Sequence, residues 1–335
     1  MWSKEELDKI KKLLLSADED NQLLGLELLK QVDNKDDFAP LLVFLSIAES
    51  GRYDIVDSVK GILKILDPTV RNYWKNVCNL IIDNSSKTKT ELVENFEKHI
   101  DLFDSFLLQA PRFSETYYEI GRKLIKNFKM SKNGLEFLRK GAEANPEDFN
   151  VNFDYAFFLP EEAKNADTII RHYNICLSIK SSFFGTYHNL GKAYMLKGDI
   201  KKAIEVFRNC LSKFPQKWET MIELSMSVKE NGDKLEARSL LEQAISINPD
   251  SHLAHNNFSF LLWSEFKNEQ ELALYHITKA LEIKPLKGLY WHTKAEVYWY
   301  GFEDKEKAFE ALHKGMEVEP GYNGCGAMIK ELEAK

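Results

Sequence analysis

Three histidines provide the residue types that could bind a metal ion. His252 and His255 are three residues apart, so they would share one face of a helix, and His276 follows on the next helical segment. A zinc site needs three or four converging ligands, of which the histidine nitrogen is a common one. The sequence favours another interpretation, in which His255 packs between neighbouring helices at the position of Tyr187 and Trp291 in related segments.

Four cysteines could supply thiol chemistry, namely Cys78, Cys176, Cys210 and Cys325. They contain no CxxC pair and are too few to cross-link 335 residues, so we expect reduced thiols, as in the cytoplasm. Cys176 and Cys210 occupy positions where other segments have alanine or glycine, which predicts small buried residues. Cys325 lies in a glycine-rich stretch and is expected to be the more exposed thiol.

Catalytic motifs are missing from the sequence. It contains no HExxH, no GxxxxGK[ST] and no GxSxG pattern. The 52 acidic residues offer no pair that spacing alone could assign to acid–base catalysis. An enzymatic site would need converging titratable groups near the Pro111–Phe113 junction, and the sequence shows none there. The sequence therefore predicts a protein that is not an enzyme and needs no cofactor or metal.

The charge balance bears on the class of partner. The chain has 45 basic and 52 acidic residues, which gives a net charge of −7 and disfavours nucleic-acid binding. Its hydrophobic fraction of 44% is sufficient for a large buried core. The first residues lack the apolar stretch of a secretory signal, and the longest apolar runs are too short to span a membrane. We expect a cytoplasmic protein without membrane contact.

A repeating unit of about 34 residues organises the chain from residue 114 to residue 322. Its clearest copy covers residues 184–217 and is marked by Leu190, Gly191, Tyr194, Gly198, Ala203, Phe207 and Pro215. The other copies cover residues 114–149, 150–183, 218–251, 252–287 and 288–322. The apolar marks have helical spacing, the small residues allow helices to approach closely, and Gly198 permits a tight turn. Pro160 interrupts the second copy, so its first helix should stop early or kink.

These marks resemble the tetratricopeptide repeat. The resemblance implies an all-α fold, a right-handed superhelical solenoid of six antiparallel helix pairs. In this family the first helix of each pair lines a concave groove, which usually holds a peptide or a partner's helix. Residues 323–335 are predicted to form a capping helix, because an end repeat must cover its exposed apolar face.

Residues 1–113 are predicted to be helical without this repeat pattern. Ser3-x-x-Glu6 is a capping box that should open the first helix. Asp20 or Asn21 could cap a second helix, and further amphipathic stretches follow up to Leu108. The region is therefore interpreted as HEAT-like or as degenerate helix pairs.

Twelve residues are predicted to line the groove, in three stripes along the first helices of the last four copies. One stripe is Met195, Lys229, Trp263 and Trp299, the second is Lys192, Met226, Phe260 and Glu296, and the third is His188, Ile222, Asn256 and His292. Because neighbouring helices pack about 8–10 Å apart, Trp263 and Trp299 could lie side by side. This aromatic pair predicts a peptide-binding surface.

Two functions remain open beside an adaptor that binds proteins or peptides. One is a peptide-responsive bacterial regulator with N-terminal effector helices, although residues 1–80 show no helix-turn-helix pattern. The other is the enzyme at the junction described above.

Some members of the family clamp a carboxylate with paired asparagines. Asn189 and Asn257 match those positions, but Glu223 stands between them, and hydrogen bonds between repeats are the favoured interpretation.

Overall fold

The computed structural model describes residues 2–16, 18–33, 35–48, 52–70, 105–106, 115–128, 131–266 and 268–334. All regular elements within these ranges are helices, which confirms the predicted all-α fold class. The chain divides into two compact units, residues 1–160 with 178–180 and residues 161–177 with 181–335. Apart from Val70 and residues 105–106, the amphipathic stretches predicted at Val70–Ile82 and Glu91–Leu108 lie outside the described residues, as does the Pro111–Phe113 junction.

The first unit contains helices that pack in consecutive pairs. Its described helices are α1 Lys4–Leu14, α2 Glu19–Lys30, α3 Ala39–Ala48, α4 Tyr53–Leu63, α5 Glu115–Phe128, α6 Ser131–Ala144 and α7 Phe149–Phe158. Helix α1 packs on α2, α3 on α4, and α5 on α6. One hydrophobic core includes Ile10 of α1, Phe44 of α3 and Phe137 of α6, so helices from both sides of residue 113 share it.

Helix starts in the first unit follow local hydrogen-bonding rules. The Ser3 Oγ accepts from the Glu6 backbone N–H at 3.3 Å, and the Ser3 backbone N–H donates to Glu6 Oε2 at 2.7 Å. This is the predicted capping box. The cap predicted for α2 was wrong, because Asp18 caps that helix and accepts from the Asn21 backbone N–H at 2.9 Å. An aspartate at this position also complements the positive end of the helix dipole.

Helix α7 is short because of Pro160. It ends at Phe158, and Leu159 has an extended conformation with φ −59° and ψ 136°. A proline disfavours the helical conformation in the residue before it, so the helix cannot continue through Leu159. The predicted early stop is confirmed, and a 3₁₀ turn at Ala163–Asn165 leads into the next helix.

The second unit repeats one helix-pair geometry. Its helices are α8 Ala166–Ile179, whose last two residues group with the first unit, α9 Phe184–Lys197, α10 Ile200–Lys213, α11 Trp218–Glu230, α12 Lys234–Ile247, α13 His252–Glu265, α14 Gln270–Ile283, α15 Gly288–Glu296, α16 Lys305–Val318 and α17 Asn323–Glu333. Four pairs pack internally, α9–α10, α11–α12, α13–α14 and α15–α16. The first helices also contact one another in order, since α9 meets α11, α11 meets α13, and α13 meets α15.

Two glycines set the geometry of the α9–α10 pair. Gly198 has φ +82°, a left-handed conformation that ends α9 without steric cost. Gly191 faces the fully buried ring of Phe207 on α10, and a Cβ at Gly191 would overlap that ring. The small residue therefore makes room for an aromatic ring, where the sequence predicted a close approach of two helix backbones.

The C-terminal helix corrects the expectation for Cys325. Helix α17 begins at Asn323, so the glycine-rich stretch is helical and packs on α15 and α16. The Cys325 side chain is fully buried, and its Sγ lies 3.6 Å from the Gly288 carbonyl oxygen. A Cβ at Gly315 would lie 2.5 Å from this Sγ, so the glycine provides the space for the thiol. Burial raises the pKa of Cys325 to about 11, which makes the thiol unreactive.

Candidate binding face of the first helices

The predicted groove residues lie on α9, α11, α13 and α15, and we call this side of the second unit the first-helix face. On α9, His188 Nδ1 lies 3.1 Å from Thr220 Oγ1 of α11. Burial, with a smaller contribution from Lys192, lowers the pKa of His188 to about 4. Lys192 Nζ lies 3.3 Å from Glu161 Oε1, and Met195 packs partly against the hydrophobic core. His188 is thus a neutral, helix-linking residue.

Helix α11 contributes one buried and several half-buried side chains. Ile222 is 5% exposed and belongs to the core, whereas Met226 is half-buried. Lys229 Nζ lies 4.5 Å from the Phe260 ring centroid and 3.6 Å from Glu265 Oε1, so it joins α11 to α13. Glu223 also lies on this helix, and burial raises the pKa of its carboxyl despite the nearby Lys192.

Helix α13 carries two buried polar atoms that have no hydrogen-bond partner. Asn256 is 6% exposed, and its Nδ2 donates to Asn257 Oδ1 at 3.1 Å. Its own Oδ1 is buried and has no partner, as is the Nε1 of Trp263. The rings of Phe260 and Trp263 meet edge to face, with centroids 5.5 Å apart. Buried polar atoms are normally paired, so two unpaired atoms on one helix face require an explanation.

A π-helical turn changes the predicted aromatic pair. The turn Val297–Gly301 follows α15, with the Phe302 N–H 3.2 Å from the Val297 carbonyl oxygen. A π turn contains one extra residue, so the residues after it are displaced by one position around the helix. Consequently Tyr300 stacks on Trp263, with centroids 5.4 Å apart and planes at 13°.

Trp299, the predicted neighbour of Trp263, faces its own helix pair. Its ring lies 6.0 Å from that of Phe309 on α16, and Lys305 Nζ lies 5.3 Å from its centroid. The expectation that Trp263 and Trp299 lie side by side is therefore corrected to a pairing of Trp263 with Tyr300. Tyr300 is 49% exposed and was not among the predicted residues, because helical counting without the π turn places Trp299 there.

His292 and Glu296 are one turn apart on α15. The distance between His292 Nδ1 and Glu296 Oε2 is 3.9 Å, too long for a hydrogen bond. Burial raises the pKa of Glu296 to about 7 and lowers the pKa of His292. These directions are opposite to those of a stable ion pair, so burial outweighs the attraction between the two groups.

The histidines first considered for metal binding form a packed pair. His255 Nδ1 and His276 Nδ1 lie 2.8 Å apart, and His255 Nε2 lies 2.9 Å from the Pro249 carbonyl oxygen. The carbonyl can only accept, so His255 carries its proton on Nε2, and His276 donates from Nδ1. His252 instead bonds the hydroxyl of Tyr290. Throughout the described ranges, no three His, Cys, Asp or Glu side chains are grouped to hold a metal ion.

The asparagines at the clamp-like positions serve different contacts. Asn189 Nδ2 donates to the Tyr173 hydroxyl of α8 at 3.2 Å, which is the predicted hydrogen bond between repeats. Asn257 accepts from its neighbour Asn256.

None of the helices in the described part of the chain has the length and apolar character that a bilayer crossing requires.

Comparison with known proteins agrees with this architecture. The family model described as tetratricopeptide repeat matches residues 184–217, the copy with the clearest marks. The BBSome complex member BBS4 of Bos taurus is 24% identical over 163 residues, which are 48% of this chain. The chain covers only 30% of the length of that curated relative.

Two solved structures show the same fold at low sequence identity. The APC/C hetero-tetramer Cut9-Hcn1 has a TM-score of 0.54 at 15% identity, over 98% of this chain and 63% of that one. The pilF protein of Pseudomonas aeruginosa has a TM-score of 0.51 at 14% identity, over 65% of this chain and 97% of that one. At such identities the likeness concerns the fold alone.

Proposed function

Since this chain is a tetratricopeptide-repeat-containing protein, whose fold is that of a protein-interaction scaffold, we propose that it binds a peptide segment of a partner protein. The segment docks on the first-helix face, and the function is non-catalytic. Phe260, Met226, Met195 and the Trp263–Tyr300 stack provide apolar contact. A short segment of this kind is expected to bind near micromolar affinity, about −8 kcal/mol.

The unpaired atoms of α13 are the observation that carries this proposal. Asn256 Oδ1 is an acceptor and Trp263 Nε1 is a donor, seven residues apart on one helix. Seven residues of α-helix rise about 10 Å. An extended chain advances about 3.3 Å per residue and turns successive backbone groups to opposite edges, so an N–H and the C=O two residues later share one edge about 9 Å apart. With the Asn256 and Trp263 side chains turned toward the segment, these two groups would match both atoms. A peptide backbone presents both kinds of group at this spacing.

Peptide selection on the intact protein tests the proposal. Twelve-residue peptides would be enriched from a displayed random library and their affinities measured by fluorescence anisotropy. Replacing Phe260 and Trp263 together by Ala should weaken binding at least about tenfold, because both rings leave the face. The control is Tyr275→Ala, since Tyr275 is 53% exposed on α14, the second helix of the same pair. Equal loss in both variants, or no loss in the first, would contradict the proposed face.

The cellular setting is part of the same proposal. Cys210 and Cys325 are buried free thiols, which favours a reducing compartment such as the cytoplasm. The net charge of −7 favours protein partners over nucleic acid. We propose a cytoplasmic scaffold that acts without membrane contact.

A further inference from the structure

We propose that the segment bound on the first-helix face carries a basic side chain, and that Glu296 receives its cationic group. This inference rests on the proposed function and adds the chemistry of the partner. The Glu296 side chain is 17% exposed, and its ionic neighbour His292 is too distant for a hydrogen bond. A carboxylate placed in such surroundings is costly unless a donor pairs with it. Its raised pKa has the same cause, burial without a compensating partner.

A second unpaired acceptor, the Asn256 Oδ1 matched above to a backbone N–H of the segment, lies on the neighbouring helix. Asn256 lies one repeat earlier, at the position that corresponds to His292, one turn before Glu296. The helices α13 and α15 that carry these residues are in contact. The Oδ1 of Asn256 is buried without a partner. With the Asn256 acceptor matched by the segment's backbone, Glu296 is left as the acceptor for a side chain, and an arginine or lysine head group supplies only donors.

The charges of the face favour a cation over an anion. The two lysines among the predicted groove residues are already paired, Lys192 with Glu161 and Lys229 with Glu265. Glu223 and Glu296 are left, and each is buried enough to raise the pKa of its carboxyl. His292 does not offset them, because burial lowers its pKa and keeps the imidazole neutral near pH 7. A basic segment complements this excess of carboxylates, whereas an acidic one would be repelled.

Matched peptide pools test the charge preference directly. The probes are N-acetylated, C-amidated octapeptides with a central arginine or citrulline, flanked by mixtures of Ala, Leu, Ser and Gln. Citrulline keeps the shape of arginine and removes its charge. At pH 8 the intact wild-type protein should bind the arginine pool about tenfold more tightly, equivalent to about 1.4 kcal/mol.

Glu296→Gln should reduce this preference to less than about twofold, because the amide keeps the volume but not the charge. The matched control is Glu310→Gln, an exposed glutamate of α16, which should retain the full preference. Circular dichroism would confirm that both variants are folded.

Three results would overturn the inference. They are equal binding of the two pools to wild type, a preference that persists in Glu296→Gln, and binding of neither pool. The library peptides described above distinguish the two proposals. If those peptides still depend on Phe260 and Trp263 while the arginine preference is missing, the binding face stands and only its proposed basic partner fails.

Discussion

The missing side chain at Gly191 of α9 makes room for the Phe207 ring of α10. The Phe207 ring is fully buried, and a Cβ at position 191 would overlap its nearest atom. We expect Gly191→Ala to lower the free energy of unfolding by about 1–3 kcal/mol, the usual cost of overpacking a core. Urea denaturation followed by circular dichroism measures this cost. The control is Gly321→Ala, where a Cβ would have no atom within 4 Å. Similar losses in both variants would show that the Phe207 contact is not the cause.

The His255–His276 pair should make stability depend on pH. Burial, and to a lesser extent His255, lowers the pKa of His276 to about 4, below the 6.5 of an ordinary histidine. Between these values the unfolded chain binds more protons than the folded one, so stability falls as pH decreases from 6.5 to 4. His276→Asn keeps a donor near Nδ1 and removes the proton uptake. We expect the slope of unfolding free energy against pH to decrease by up to one proton, about 1.4 kcal/mol per pH unit.

Urea titrations at several pH values between 4 and 7.5 measure this slope. His188 has a similarly lowered pKa, so part of the wild-type slope should remain in the variant. His313→Asn, at an exposed position of α16, is the matched control variant. A slope that is the same in His276→Asn as in wild type would exclude the buried pair as its source.

At the scale of elements, the π turn after α15 determines which rings meet. Tyr300 stacks on Trp263, and Trp299 packs on Phe309. A double-mutant cycle with Ala at Trp263 and Tyr300 should therefore give a coupling energy of about 0.5–1.5 kcal/mol, typical of an aromatic pair. The same cycle for Trp263 and Trp299 should give additive effects, within about 0.5 kcal/mol. Coupling to Trp299 in place of Tyr300 would mean that the helix keeps a regular α register in solution.

Sequence reasoning succeeded for elements whose ends depend on local chemistry. Gly198 supplies a positive φ, Pro160 stops α7 and Ser3 forms a capping box with Glu6, and each effect acts within a few residues. Tyr300 could not be found in this way, because a regular helical count gives no sign of an inserted π residue. The position of the Tyr300 ring becomes clear only from its contact with Trp263 on α13, a helix of the preceding repeat.

Side-chain partners in other helices limited the remaining predictions. The glycines around Cys325 favoured an exposed tail by composition, yet the space left by Gly315 on α16 allows α17 to bury the thiol. The position of Gly191 was recognised, but its partner, the Phe207 ring, depends on how two helices pack. The first-helix face as a binding surface, and the residues assigned to it, stay a prediction that the peptide experiments must test.

In the second unit, each helix pair should stabilise mainly the pairs directly next to it. Helix α17 covers the last pair, because Cys325, Met328 and Leu332 are buried with Ala308 and Leu312 of α16. In a repeat array each pair is stabilised mainly by the adjacent ones. The destabilisation caused by removing a terminal helix should therefore decrease with distance along the stack. Deleting residues 323–335 should therefore remove hydrogen-exchange protection from α15 and α16, weaken it in α13 and α14, and leave α9–α12 nearly unchanged.

The control for this deletion is a chain that lacks only residues 334–335, which follow the last helical residue, Glu333. Hydrogen exchange followed by mass spectrometry on both chains compares protection helix by helix. The buried Met328 and Leu332 side chains of α17 should contribute several kcal/mol, at about 1.5–3 kcal/mol for each large apolar residue, so the effect on α15 and α16 is well within the measurable range. Equal loss of protection from α9 to α16 would show that the four pairs unfold as one block, and the nearest-neighbour description would then be wrong for this unit.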